Sequence, residues 1–89
     1  MPQYFFNVLV GDQKAPDSEG ECLPDLEVAR EEAIVGLREI AADRVRSGEP
    51  LDLRDCVEIA DADNKPLLIV SLGEVLVVKV AGKPQNHAR

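Results

Sequence analysis

Only one stretch of this chain can form a long helix. From Leu23 to Gly48 the sequence reads LPDLEVAREEAIVGLREIAADRVRSG, and every other apolar segment is short enough to be a strand that needs a face to cover. Asp25 stands at the N-cap position, after Pro24 and before the first periodic apolar residue. Glu27, Glu31 and Glu32 place negative charge near the helix start, and Arg44 and Arg46 place positive charge near its end, as the helix dipole favours. Gly48 is a C-terminal stop and Pro50 prevents a restart. Leu26, Ala29, Ala33, Leu37, Ile40 and Ala41 recur at intervals of three and four, so they share one face. That stripe is built of small side chains, with Gly36 on its edge. Glycine costs about 1 kcal/mol relative to alanine inside a helix, and the expected reason for it is close approach of the helix to a sheet. Val28, Val35 and Ala42 form a row on the opposite face; isolated exposed valines are ordinary, and a row at this spacing also suits a weak helix–helix contact.

The remaining segments read as strands and turns. Residues 3–10, QYFFNVLV, alternate Tyr4, Phe6, Val8 and Val10 on one face with Phe5, Asn7 and Leu9 on the other. Apolar content on both faces points to a central strand, or to one with a partner on its second side. Gly11 to Gly20, GDQKAPDSEG, reads as turn chemistry throughout. Glu21 to Leu23 is a short second strand. Cys56 to Asp61 alternates Val57 and Ile59 against Glu58 and Ala60, Asp61 to Pro66 is a hairpin turn, and Leu67 to Leu72 is the returning strand. Val75 to Val80, VLVVKV, is ambiguous: its composition is that of a further strand, paired with another subunit, which is the expectation, while its position after Ser71-Leu72-Gly73 also suits a short helical turn. Residues 81–89 read as a flexible polar tail. The order β-β-α-β-β, with that additional C-terminal strand, defines an α+β fold: an antiparallel sheet with one long helix packed on one face, in a single domain spanning 1–80.

Several short motifs occur together: M-P-x-Y-F-F-x-V at the start, D-x-E-G at Asp17–Gly20, L-P-D-L at Leu23–Leu26, A-R-x-E-A at Ala29–Ala33, and V-x-I-x-D followed by L-L-x-V at Leu67–Val70. In combination they resemble a family of small uncharacterised bacterial proteins, known as a domain of unknown function. The resemblance runs from Met1 to Leu72 and implies a small stand-alone cytoplasmic protein. It brings no activity and no catalytic residues. At the hairpin, Asn64-Lys65 stands where that family commonly has glycine. Gly20, Leu23, Pro24, Asp25 and Ala29 to Ala33 also carry a more distant, fold-level similarity to antitoxins of the HicB type, without a counterpart of their DNA-binding segment. Likeness of fold does not fix function.

Charge narrows the list of partners. Seventeen acidic residues against ten basic ones leave a net charge of −7. Nucleic-acid binding needs clustered Lys and Arg to neutralise phosphates, and here Arg30, Arg38, Arg44, Arg46 and Arg54 are scattered, so no nucleic acid is expected. A basic partner protein suits this balance. No apolar run is long enough to span a bilayer, and the start, MPQYFFNVLVGD, lacks the basic region of a signal peptide; the expectation is a cytoplasmic protein with no membrane partner. Cys22 and Cys56 are expected to be reduced, buried thiols in that compartment.

No pattern of catalysis emerges. Nucleophilic catalysis needs a base beside the nucleophile, and the sole histidine, His87, lies in the polar tail. Asp61, Asp63 and Asn64 suggest oxygen ligands, but Lys65 and Pro66 occupy positions that a calcium loop gives to a ligand and a glycine. No cofactor or metal site is expected. Pairs such as Glu31-Glu32 and Asp17/Glu19 read as solubilising surface charge. The aromatic residues Tyr4, Phe5 and Phe6 read as core. A domain of 89 residues buries only about 60–65% of its unfolded surface, so association would add stability. The expected function is a non-enzymatic protein-interaction module that forms a homo-oligomer through a strand edge, through Val75, Val77 and Val78, or through Val28, Val35 and Ala42. The alternative is an antitoxin-like regulator that binds a basic partner protein.

Overall fold

The computed structural model describes residues 1–79. The long helix, α1, spans Leu26–Ser47 and starts and stops where its caps predict. The Asp25 carboxylate accepts a hydrogen bond from the Val28 N–H at 2.9 Å. At the other end Gly48 adopts φ 76°, a left-handed conformation that only glycine takes without strain. The Gly48 N–H then reaches the Val45 carbonyl at 3.2 Å and the Glu49 N–H the Arg44 carbonyl at 2.8 Å. This is a Schellman closure, and it satisfies carbonyls that a helix end leaves without partners.

Five strands form the sheet: β1 (Gln3–Val10), β2 (Gln13–Ala15), β3 (Glu21–Cys22), β4 (Cys56–Ala60) and β5 (Pro66–Ser71). The path is β2-β1-β4-β5, and every pairing is antiparallel. β1 is central, as its two apolar faces predict. Its outer edge is shared: β2 pairs with Val8–Val10 and β3 with Gln3 and Tyr4.

The helix lies on the face that carries Tyr4, Val57, Ile59 and Val70. Ala29, Ala33, Leu37 and Ala41 are buried beneath it, and Leu37 and Ile59 are fully enclosed. Four residues of the predicted helical stripe thus form the core contact. Ile40 is only half-buried, because it borders a gap between α1 and β1.

Two parts of the fold depart from the sequence reading. The segment Gly11 to Gly20 is not turn throughout, because Gln13–Ala15 forms β2. The turn at Gly11-Asp12 is only two residues long, which lets the chain double back at once. All three β2 residues are exposed, so no apolar alternation marks them as a strand.

The second departure is the expected C-terminal strand, in whose place the alternative, a short helical turn, forms. Leu72–Val75 forms a single helical turn, α2, and residues 76–79 have no regular structure; Val80 and the predicted tail, 81–89, lie outside the described residues. Backbone bonds explain the turn. The Leu72 N–H donates to the Asp55 carbonyl at 2.7 Å and the Gly73 N–H to the Leu53 carbonyl at 3.0 Å, which draws the chain off the sheet. Leu72 and Val75, three residues apart, then both bury in the core.

Candidate functional site

The sheet face away from α1 is partly covered by the loop 16–20. Asp17 organises that covering. Its N–H donates to the Asn7 Oδ1 at 2.9 Å, and its own carboxylate accepts from the backbone N–H groups of Phe6, Glu19 and Gly20, each at 3.1 Å. Phe6 lies on the stretch of β1 edge between the parts paired with β2 and β3, so a side chain completes the ladder there. Partial burial raises the Asp17 carboxyl, but the three N–H bonds together outweigh it and hold the group below its ordinary range. Asp17 is therefore a structural residue, where the sequence suggested only surface charge. The sequence signal that could have found it is the D-x-E-G spacing, an acidic side chain three residues before a glycine.

Asn7 is buried and uses its other end as well. Its Nδ2 donates to the Glu58 Oε1 at 3.2 Å, and Lys14 Nζ lies 3.6 Å from the same oxygen. Beyond Glu58 in the register comes Ile69 of β5, so the polar chain ends at an apolar edge.

That edge is open. No strand among the described residues pairs the outer side of β5. The strand PLLIVS carries no charge, and Leu67 and Ile69 are 40% and 55% exposed.

Asp55 draws three elements together. Its Oδ1 accepts from the Gly11 N–H at 3.2 Å, its carbonyl accepts from Leu72, and its N–H donates to the Asp52 carbonyl at 3.1 Å. The remaining carboxylate oxygen, Oδ2, is buried with no hydrogen-bond partner. Asp52 lines the same shallow depression but is committed to Arg54, whose guanidinium and backbone N–H hold the Asp52 carboxyl down at about 2. Among the described residues no three His, Cys, Asp or Glu side chains gather as a metal ion needs. Burial, and then the charges of Asp55 and Glu58, push the Cys56 thiol up, which makes it a poor nucleophile. Cys22 and Cys56 are both free thiols, but the expected burial does not hold: Cys22 is exposed on the short strand β3 and Cys56 is only partly covered.

The predicted interface residues are not brought to one place. Val28, Val35 and Ala42 are exposed on α1, as their spacing implies. Val75 is corrected: at 6% exposure it belongs to the core, because the α2 turn points it at α1, and it cannot meet a partner. Val77 and Val78 project, 91% and 76% exposed. Ala42 lines an open groove of about 470 Å³ together with Ala41, Val45, Leu51 and, from the C-terminal segment, Leu76.

A second gap has no counterpart in the sequence reading. Between α1 and β1 lies a cavity of about 250 Å³, lined by Phe6, Val8 and Val57 from the sheet and by Ala33, Gly36 and Ile40 from the helix. Glu21 and Glu32 complete its lining. The register explains Glu21: it pairs with Tyr4 and so stands on the helix side of the sheet. The gap exists because α1 packs over β4 and β5, leaving β1 incompletely roofed.

These features define a two-layer α+β domain, one helix over an antiparallel sheet, with apolar surface left open at an edge and in a cleft. The chain belongs to the family described as a domain of unknown function (DUF6894), whose model matches residues 3–73. The match takes in every strand and all of α1. No curated protein and no solved structure matches the chain. None of these comparisons shows the similarity to HicB-type antitoxins. Among the described residues no helix is long and apolar enough to cross a membrane.

Proposed function

We propose that this chain is a non-enzymatic protein-interaction module of the cytoplasm that works as a homo-oligomer. The observation that carries this reading is the unpaired, uncharged edge of β5 with Leu67 and Ile69 exposed. Natural sheets blunt such edges with very short strands, charge, proline within the strand, or a covering element. The opposite edge uses two of these devices: β2 is only three residues long and carries Lys14. β5 has only Pro66, at its first position. A second copy pairing antiparallel along β5 satisfies the free backbone groups and covers both apolar side chains. Two copies of a chain with net charge −7 repel, and β5 is an edge where they can meet without opposing carboxylates. Light scattering over a dilution series tests this reading. A dimer is expected, with Ile69→Lys dissociating at about tenfold higher concentration or more. A wild-type chain that stays monomeric at the highest concentration rejects the reading.

A second reading, an antitoxin-like regulator that holds a basic partner protein, is favoured by the position of Glu21 and Glu32 beside the apolar cleft. It expects a partner that co-purifies at low salt and is lost at high salt. Pull-down at low salt that enriches no protein removes it.

A further inference from the structure

We infer that the cleft between α1 and β1 receives the apolar side chains of a basic, amphipathic segment from another protein, a proposal that rests on the reading of the chain as an interaction module. The argument begins at Gly36. A mid-helix glycine costs about 1 kcal/mol relative to alanine, and close packing usually accounts for it. Close packing does not account for it here. A Cβ built at Gly36 meets no atom within 4 Å, whereas one at Gly20 strikes the Phe5 ring at 2.9 Å and one at Gly73 comes within 3.3 Å of the Leu53 carbonyl. Gly36 keeps space open beside the helix rather than allowing a close approach, and that space is the cleft.

Size and chemistry identify the occupant. At about 250 Å³ the cleft falls below the ~300–1,000 Å³ of ordinary small-molecule sites, but it accommodates one or two large side chains. Its floor and roof, Phe6, Val8, Val57 and Ile40, offer only apolar contact. Neither Glu21 nor Glu32 takes part in an ion pair among the described residues. An apolar anchor flanked by lysine or arginine satisfies both features at once, as an amphipathic helix does in a groove. A second copy fits poorly, since it would bring another net −7 toward two carboxylates. The site is distinct from the β5 edge, so self-association and capture of a basic segment can proceed on separate surfaces.

The test uses a synthetic helical peptide of roughly eighteen residues, about five turns, with leucine at three-four spacing and lysine elsewhere. A peptide of the same pattern with glutamate in place of lysine is the control. The full chain is labelled with nitrogen-15 and titrated with each. The lysine peptide is expected to bind and to shift the amides of Phe6, Val8, Gly36 and Ile40, while the glutamate peptide does not. Gly36→Leu fills the cleft and weakens binding at least about tenfold, while removing an unfavourable helix residue. The double variant Glu21→Gln/Glu32→Gln, which alters no packing, weakens binding about three- to tenfold and flattens its salt dependence. Equal affinity for wild type and Gly36→Leu overturns the proposal, as do equal binding of both peptides and no binding of either. Shifts centred on Leu67 and Ile69 overturn the cleft but leave the interaction-module reading standing. Concentration-dependent shifts at Gly36 without peptide mean that a second copy occupies the cleft, which also overturns the proposal.

Discussion

Asn7 and Asp17 hold each other across ten residues of chain: the Asp17 N–H donates to the Asn7 side-chain oxygen at 2.9 Å while the Asp17 carboxylate accepts from Phe6, the neighbour of Asn7, at 3.1 Å. The pair locks the loop 16–20 onto the central strand. Through Nδ2, Asn7 passes the restraint to Glu58 on β4. One loop residue thus stabilises a sheet that is otherwise interrupted along the outer edge of β1.

Replacing Asp17 tests that lock. Asp17→Asn keeps the size but sets an amide N–H₂ against the Phe6 N–H or the Glu19 and Gly20 N–H groups, since one amide oxygen cannot accept from all three. The expected cost is about 1–3 kcal/mol, the penalty of leaving a partly buried donor without its acceptor. Urea denaturation at neutral pH measures it. A change below about 0.5 kcal/mol means that the loop does not depend on this carboxylate.

Asp17 also predicts a pH dependence. Its folded pKa is lowered from the ordinary 3.8, so its contribution is present above 3.8 and is lost as pH falls through the lower folded value. Stability should therefore drop on acidification below about pH 4 more steeply in wild type than in Asp17→Asn. Denaturation midpoints measured between neutral pH and pH 2.5 should converge for the two proteins. Parallel curves would assign the acid sensitivity to other carboxyls.

Gly20→Ala should destabilise the fold. Gly20 has φ 74°, and an added Cβ would lie 2.9 Å from the Phe5 ring and 3.0 Å from the Tyr4 carbonyl. Backbone strain and the clash together cost about 1–3 kcal/mol. Thermal unfolding is the check, and an unchanged midpoint means that the loop can move away without loss.

Gly36→Ala should do the opposite. With nothing within 4 Å of the new Cβ, the substitution keeps the helix gain of up to about 1 kcal/mol. A rise of a few degrees in Tm is expected. Destabilisation would mean that the helix sits closer to the sheet than the structure has it.

Leu37→Ala provides the reference for the core. Leu37 is fully buried at the centre of the helix–sheet contact, and its loss should cost about 2–5 kcal/mol. A smaller loss, measured by urea denaturation, would place the main helix–sheet contact elsewhere.

The order of the main elements and the packed face of α1 can be read directly from the residues. Asp25 and Gly48 set the helix ends, because capping depends on a side chain and a left-handed glycine that act within one turn. The alternation in β1 and β4 identifies their inner faces for the same reason: it is a local property of a pleated strand. The family resemblance, carried by motifs from Met1 to Val70, is likewise present in the sequence.

Tertiary structure alone decided the rest. Gln13–Ala15 is a strand only because β1 offers it an edge, and VLVV fails to continue as a strand because Asp55 and Leu53 take the N–H groups of Leu72 and Gly73. Val75 has the composition of an exposed interface residue but is buried, and Gly36 looks like a close contact but borders a cleft. Caps and alternation follow from neighbours in the chain. Whether a valine is covered or a glycine faces empty space depends on which strands the helix crosses, and only long-range packing sets that.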